Sequence, residues 1–466
     1  MSDTALYWFR QDLRLTDNPA LTHALQQHAR VVCVYLQAPF SETDPPASLW
    51  WQQHAILDLA VQLQSRLIYR TGDIQANLQT LIAEYAIQAV YWNRAYDPAS
   101  IARDTTIKTM LRDCGVQVQS LPGNNLYEPW QVVKQDGTPY RVFTPLYKAC
   151  LAQGIPAEPG SAIPAADLDR ILPVTFDEQR VREYLPTANW ANAFGKLWQP
   201  TCAAGVARLS DFIEHDMPDY HIGRDIPASD QVSRLAPYLA IGQLSAREIV
   251  AAALPHPEST AFVRQLIWRE FAQYVLYHWP HTLDQPMDAR YTAFPWQTDQ
   301  SALQAWQRGQ TGIPFVDAGM RQLWHTGYLH NRLRMVVASF LCKHLLIDWR
   351  VGAAWFMYTL LDAELANNTL GWQWVAGSGV DAAPYFRIFN PVTQGQRFDP
   401  QGDYIRQWVP ELAALPNKWL HQPWTAPAQL LQQHGLHLNQ DYPSPIVDLS
   451  TGRQAALAAW ESIKNP

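Results

Sequence analysis

Seven residues from Asn368 to Trp374 bring together Asn368, Trp372, Gln373 and Trp374, and a second run places Tyr385, Phe386 and Arg387 shortly after. Trp372 and Trp374 stand two apart, whereas neighbours on one helix face stand three or four apart, so both indoles cannot enter the same packed face. At least one of them lines a cavity or a surface. Gln265, Trp268 and Arg269 fall at i, i+3 and i+4, which sets an amide, an indole and a guanidinium on one helix face. Asn331, Arg334 and Met335 repeat that arrangement, and Asp362 and Glu364 supply carboxylates able to pair with such an arginine. Each segment alone reads most simply as an amphipathic face half in solvent. Taken together, polar faces flanked by apolar residues need partners once buried, and a polar ligand between helices meets that need.

The elements that must carry these residues change character along the chain. Ala5 to Phe9, Val31 to Leu36, Arg66 to Arg70, Ala89 to Asn93 and Val116 to Leu121 read as strands separated by helical stretches. Such alternation implies right-handed βαβ units and a parallel sheet. No G-x-G-x-x-G follows the first strand, so a dinucleotide fingerprint is absent there. Residues 131–195 are punctuated by proline and polar residues, as a long surface connection would be. Beyond them Leu266 to His278, Arg332 to Trp349 and Ala353 to Leu365 read as long helices. The expected architecture is an α/β domain over 1–130 with a Rossmann-like parallel sheet, an interdomain linker over 131–195, and an all-helical domain over 196–466.

Composition narrows the chemistry. The 466 residues are 48% hydrophobic and 17% charged, ordinary for a soluble globular protein, and no segment approaches eighteen uninterrupted apolar residues. No signal peptide or membrane span is expected. The five cysteines are scattered without a C-x-x-C pair or zinc-ligand spacing, which fits a reducing, cytoplasmic setting and no metal. Net charge is −7, yet residues 221–350 hold twelve Lys+Arg against ten Asp+Glu, a local excess of +2. Arginines make up 28 of the 35 basic residues, and their planar fork suits phosphate or carboxylate. A local anionic partner is compatible with that balance.

Long motifs in a fixed order then resemble the photolyase and cryptochrome family, most closely class I cyclobutane pyrimidine dimer photolyases of the bacterial type. They run from Trp8-Phe9-Arg10-Gln11-Asp12-Leu13-Arg14-Leu15-Thr16-Asp17-Asn18, through Ser233 to Leu239 and Leu266 to Phe271, and become nearly continuous from Gly309 to Asn390. The resemblance implies an α/β domain, an interdomain loop and a helical domain holding a folded FAD, active as FADH⁻. Tyr220, Ser233, Arg234, Leu235, Gln265 and Arg269 fall where the family contacts that flavin. So do Asn331, Arg334, Asp362, Glu364 and Asn368, with Arg334 paired to Asp362 and Asn368 facing flavin N5. An amide at that place can hydrogen-bond a protonated or an unprotonated nitrogen, whereas plant cryptochromes usually carry an acid.

The resemblance further implies that Trp268 and Trp374 flank a pyrimidine dimer flipped out of DNA and act with Gln265 and Asn368 as the catalytic residues, while Met335 and Asn331 complete that DNA-binding wall. Arg224, Arg332 and Arg387 match the DNA-facing rim. Trp372, Trp349 and Trp296 match a three-tryptophan electron relay. Asn331 and Met335 stand where (6-4) photolyases usually carry histidines, which points to cyclobutane dimers. Gln265 stands where class I enzymes generally have glutamate, keeping an acceptor but losing the charge. Folate-binding relatives use an Asn-Glu pair where this chain has Ala99 and Ser100, which disfavours a folate antenna and leaves a deazaflavin, a flavin nucleotide or none. The expected function is blue-light repair of cyclobutane pyrimidine dimers by a monomeric deoxyribodipyrimidine photo-lyase whose partner is dimer-containing DNA. The alternatives are a cryptochrome-like photoreceptor and a photolyase of altered lesion preference, such as for (6-4) photoproducts.

Overall fold

The computed structural model describes residues 3–39, 45–187, 190–382, 384–385 and 387–464, so Phe386 lies outside the described residues. The chain forms two compact units: Met1–Ala191, Trp198–Pro218 and Ser233–Pro280 make one, and Asn192–Leu197, Asp219–Val232 and His281–Pro466 make the other.

The first unit carries strands β1 (Thr4–Phe9), β2 (Arg30–Gln37), β3 (Ile68–Thr71), β4 (Ala89–Asn93) and β5 (Gln117–Leu121). All pairings are parallel, in the order β3-β2-β1-β4-β5. The expected strands therefore form, and a parallel sheet follows from the helices between them: α1 (Pro19–Gln27), α2 (Ala47–Gln62), α3 (Ile74–Tyr85) and α4 (Pro98–Asp113). Every residue of β1 is buried, as a strand covered on both faces requires. The Trp8–Asn18 motif that follows is fastened internally. Tyr7 Oη donates to Asp12 Oδ2 at 2.5 Å, and Asn93 Nδ2 donates to Asp12 Oδ2 at 2.7 Å and to Asn18 Oδ1 at 2.8 Å. Within 131–195 the chain builds helix α5 (Phe143–Gln153) and shorter turns of helix. Helix α6 (Thr260–His278) packs with this same unit.

The second unit is helical. Helices α7 (Pro314–Thr326), α8 (Asn331–Ser339), α9 (Trp349–Thr359), α10 (Leu365–Ala376) and α11 (Leu449–Lys464) are its longer members. Trp306, Leu333, Phe356, Trp372 and Tyr404 belong to one buried apolar cluster there.

Two helices expected from sequence are shorter in the structure. The stretch Arg332 to Trp349 is interrupted: α8 passes into a π-helical turn, Phe340–His344, and Leu346 then adopts a left-handed φ of 54°. The backbone leaves the helix because the Leu346 carbonyl accepts the Gln297 N–H at 2.7 Å, while Asp348 caps the start of α9 through the Arg350 N–H. The stretch Ala353 to Leu365 ends at Thr359, since Leu360 is extended and Glu364 caps α10. No helix among the described residues is long and apolar enough to cross a membrane.

Candidate functional site

In the first unit the helix face read from the sequence forms as expected. Leu266, Ile267, Glu270 and Phe271 are buried on α6, while Gln265, Trp268 and Arg269 are half-buried on the other side. Trp268 lies face to face with Phe143, ring centroids 3.7 Å apart and planes 10° apart. The Arg264 guanidinium sits 5.2 Å from the centroids of both Phe143 and Tyr147. One face of the Trp268 indole is thus fixed by stacking, which orients the ring before any ligand arrives. The Gln265 amide makes a long 3.5 Å contact back to the Ala261 carbonyl.

Arg269 donates through Nη1 to the Asn124 carbonyl at 3.3 Å and pairs with Glu270 at 3.3 Å. Glu270 was not singled out by sequence, although it occupies a core position between Ile267 and Phe271. It is 5% exposed, and its Oε2 accepts the N–H of Leu126 at 2.8 Å and of Tyr127 at 3.3 Å. Burial pushes its carboxyl up to about 7, against the opposing pull of Arg269 and the two amides. A charged residue at an otherwise apolar helix position is the signal that could have found it. Elsewhere in this unit Arg234 takes a left-handed φ of 52°, and Arg208 Nε holds the neighbouring Ser233 carbonyl at 3.1 Å. Leu235 is buried beside them.

In the second unit Arg334 chooses between the two carboxylates offered by the sequence. Its Nη2 donates to Asp362 Oδ1 at 2.9 Å and Oδ2 at 2.8 Å, and its Nε donates to the Leu329 carbonyl at 2.8 Å. Glu364 is spent differently, capping α10 by accepting the Ala366 N–H at 3.1 Å and the Asn367 N–H at 3.0 Å. The pairing of Arg334 with Asp362 holds, and the alternative carboxylate is a helix cap.

Asn368 follows one turn into α10. Its Nδ2 donates to the Ala353 carbonyl at 2.9 Å, which leaves Oδ1 as an acceptor without a partner among the described residues. That orientation suits a ligand N–H, and it is the point at which the arrangement fits a protonated flavin nitrogen.

The two indoles at 372 and 374 separate as their spacing requires. Trp372 is buried, flanked by Phe356 at 4.9 Å and Trp306 at 6.2 Å, whereas Trp374 is half-buried at the cluster's edge. A Cβ on Gly352 would meet the Trp372 ring at 2.1 Å, so α9 approaches α10 through a residue without a side chain. Trp349 is buried in the same cluster and Trp296 is packed against it, beside Phe294 at 4.3 Å.

Asn331 is exposed and Met335 half-buried, with Asn331 Nδ2 4.0 Å from the Met335 sulfur. Tyr220 is buried beneath the Arg224 guanidinium at 5.5 Å. Arg332 is engaged within the protein, paired with Asp225 at 2.7 Å and lying over Phe398 at 4.1 Å. Arg387 is exposed. His330, before α8, is held by burial at about 4 and is therefore neutral at ordinary pH, its Nδ1 accepting the Arg332 N–H at 3.2 Å.

Known proteins match both parts of the chain. Residues 5–165 match the DNA photolyase family model, and residues 262–462 match the FAD binding domain of DNA photolyase. A deoxyribodipyrimidine photo-lyase of Agrobacterium fabrum is 41% identical over 98% of this chain and 98% of its own length. Cryptochrome-2 of Arabidopsis thaliana is 36% identical over 97% of this chain and 78% of its own. A solved structure described as a bacterial class III photolyase from Agrobacterium tumefaciens superposes with a TM-score of 0.92 at 40% identity, covering 100% of this chain and 98% of that one. That relative is described as class III, whereas the motifs resemble class I enzymes. With two photolyase family models and full-length similarity at this level, the chain is a photolyase-type flavin-binding enzyme and belongs to the photolyase and cryptochrome family.

Proposed function

We propose that this chain repairs cyclobutane pyrimidine dimers in DNA under blue light. When bound, FAD in its reduced form FADH⁻ supplies on excitation the electron that opens the dimer and is returned afterwards. The residues of this chain bind, orient and exclude water. Arg334, Asp362, Asn368, Arg269 and Tyr220 are proposed to hold the flavin, with Ser233, Arg234, Leu235, Gln265, Asn331 and Glu364 beside it. Trp268 and Trp374 offer flat apolar surfaces to the flipped dimer, together with Met335, and Arg224, Arg332 and Arg387 meet the backbone. An enzyme that needs a base outside the duplex must meet the cost of unstacking, and broad aromatic walls offset part of it.

The observation that carries the reading is Asn368. Its amide nitrogen is taken up by the Ala353 carbonyl, which leaves the oxygen as the acceptor, the polarity a reduced, protonated flavin nitrogen requires. Plant photoreceptors of the family usually place an acid there. Trp372, Trp349 and Trp296 are proposed to carry electrons to the flavin during photoreduction, a step separate from repair. A second reading, a flavin photoreceptor without repair, draws on Gln265, whose neutral amide stands where class I repair enzymes generally carry glutamate.

The test is direct. Purified, reduced protein is incubated with oligothymidylate containing cyclobutane dimers, and recovery of thymine absorbance under blue light is followed against a dark control. Light-dependent recovery is the expected result. A yellow, photoreducible protein that restores no absorbance would move the assignment to a photoreceptor or to a (6-4) substrate. The same preparation, denatured, releases any antenna for identification by its spectrum.

A further inference from the structure

Lys343 stands in the π-helical turn Phe340–His344 and is 1% exposed. Among the described residues no carboxylate lies within ion-pair distance of it. Its Nζ donates instead to two backbone carbonyls, Tyr385 at 3.2 Å and Arg387 at 3.1 Å, and stands 5.0 Å from the Tyr385 ring centroid. An ammonium buried without an anion is costly, and burial lowers this one to about 8. Backbone carbonyl dipoles and an aromatic face are what offset that cost here. Neither carbonyl belongs to a helix or strand, since the described residues between Gly377 and Asn390 form no regular structure to satisfy them.

The same stretch is fastened at neighbouring points. The Tyr385 ring packs against Tyr291, Phe294 and Trp460, with centroids 5.9, 5.4 and 5.5 Å away. The Arg387 N–H donates to the Pro384 carbonyl at 2.8 Å, and the Phe389 N–H to Ser339 Oγ at 3.3 Å. Tyr385 is buried, whereas Arg387 is exposed. Tyr385 and Arg387 are therefore held at their carbonyls, while the Arg387 residue stays exposed. A π-helical turn, which inserts an extra residue into a helix, aims the lysine at this loop.

We propose that Lys343 is a positioning residue for DNA binding: its buried ammonium clamps the backbone of the loop that presents Arg387, so that this guanidinium meets a phosphate already ordered. The proposal rests on the reading of Arg387 as a DNA contact made above. An ordered arginine loses less conformational freedom on binding than a mobile one, and the lysine contributes to affinity without touching the nucleic acid.

The experiment compares wild type with Lys343→Met, Arg387→Ala and the double variant, each loaded with flavin and checked for it by absorbance. Affinity for a dimer-containing duplex is titrated at several salt concentrations, and repair is measured at saturating DNA. Each single variant is expected to bind about tenfold more weakly, and Arg387→Ala lowers the salt slope by about one, the signature of one lost phosphate contact. The double variant is expected to bind no more weakly than the weaker single one, because the clamp acts only through Arg387. For Lys343→Met, repair at saturating DNA stays at the wild-type rate. Additive losses in the double variant would overturn the proposal by showing that Lys343 acts elsewhere. Wild-type affinity in Lys343→Met beside weakened Arg387→Ala would overturn it while sparing the reading of Arg387. Wild-type affinity in Arg387→Ala would remove that reading and the proposal with it. Lys343→Gln, which keeps a donor for one carbonyl, serves where the methionine variant loses its flavin. It is expected to bind about threefold more weakly, and wild-type affinity there overturns the clamp.

Discussion

Glu270 is where a buried charge, a loop and a proposed flavin-contacting arginine meet, and replacing it by glutamine makes the physics measurable. In the folded protein its carboxyl titrates at about 7, against an ordinary 4.5. At roughly 1.4 kcal/mol per pH unit, that interval corresponds to about 3 kcal/mol of stability. Between those two pH values the folded protein keeps a proton that the unfolded chain has released. Stability from this group is therefore complete below about pH 4.5, declines as pH rises, and is lost above about pH 7. Glutamine has no such proton. It can still accept the Leu126 and Tyr127 amides through its oxygen, so the loop contact survives while the slope disappears. Thermal unfolding of wild type and Glu270→Gln, followed by tryptophan fluorescence at pH 5, 6, 7 and 8, should show the wild-type advantage shrinking by roughly 5 °C across that range. Parallel curves would mean that Glu270 is ionised throughout, held by Arg269, and that burial does not dominate its titration.

Three further changes have defined outcomes. Trp372→Phe should slow flavin photoreduction at least ~10-fold, as seen by blue-light absorbance kinetics, while leaving repair by chemically reduced enzyme intact, because a phenyl ring is much harder to oxidise than an indole; parallel loss of both would take Trp372 out of a relay. Trp268→Ala removes a ring already oriented by Phe143, and stacking on one base is worth about 1–3 kcal/mol. Affinity for dimer-containing DNA should fall roughly 10- to 100-fold while affinity for undamaged DNA stays within about twofold, and equal losses in a competition assay would place Trp268 outside the lesion wall. Gly352→Ala forces a methyl group against the Trp372 ring at 2.1 Å and Leu341 at 2.7 Å, so overpacking should cost about 1–3 kcal/mol. An unchanged melting temperature would show that α9 and α10 separate at little cost.

Much of the fold is legible locally. Strands β1, β2 and β4 announce themselves as short apolar runs because the middle of a parallel sheet is covered on both faces, whereas β5 at the sheet edge keeps polar alternation. Helix faces are equally visible where periodicity runs undisturbed, as on α6. Periodicity fails at Arg332 to Trp349, where good helix formers persist past a π-helical turn and only the pairing of Leu346 with Gln297 ends the helix. Local propensity is a weak guide when a distant strand of backbone offers a competing hydrogen bond.

From its sequence alone this chain declares its parallel α/β part, its helical part, its family and the polar faces of its helices, because each is written in spacings of a few residues. Tertiary structure alone decides who pairs with whom. Arg334 takes Asp362, 28 residues away, and leaves Glu364 to cap a helix. Glu270 receives amides from 144 and 143 residues away, and Lys343 reaches carbonyls 42 and 44 residues on. Those choices depend on how loops return through space, where burial makes an unpaired polar atom costly and a single available partner decisive.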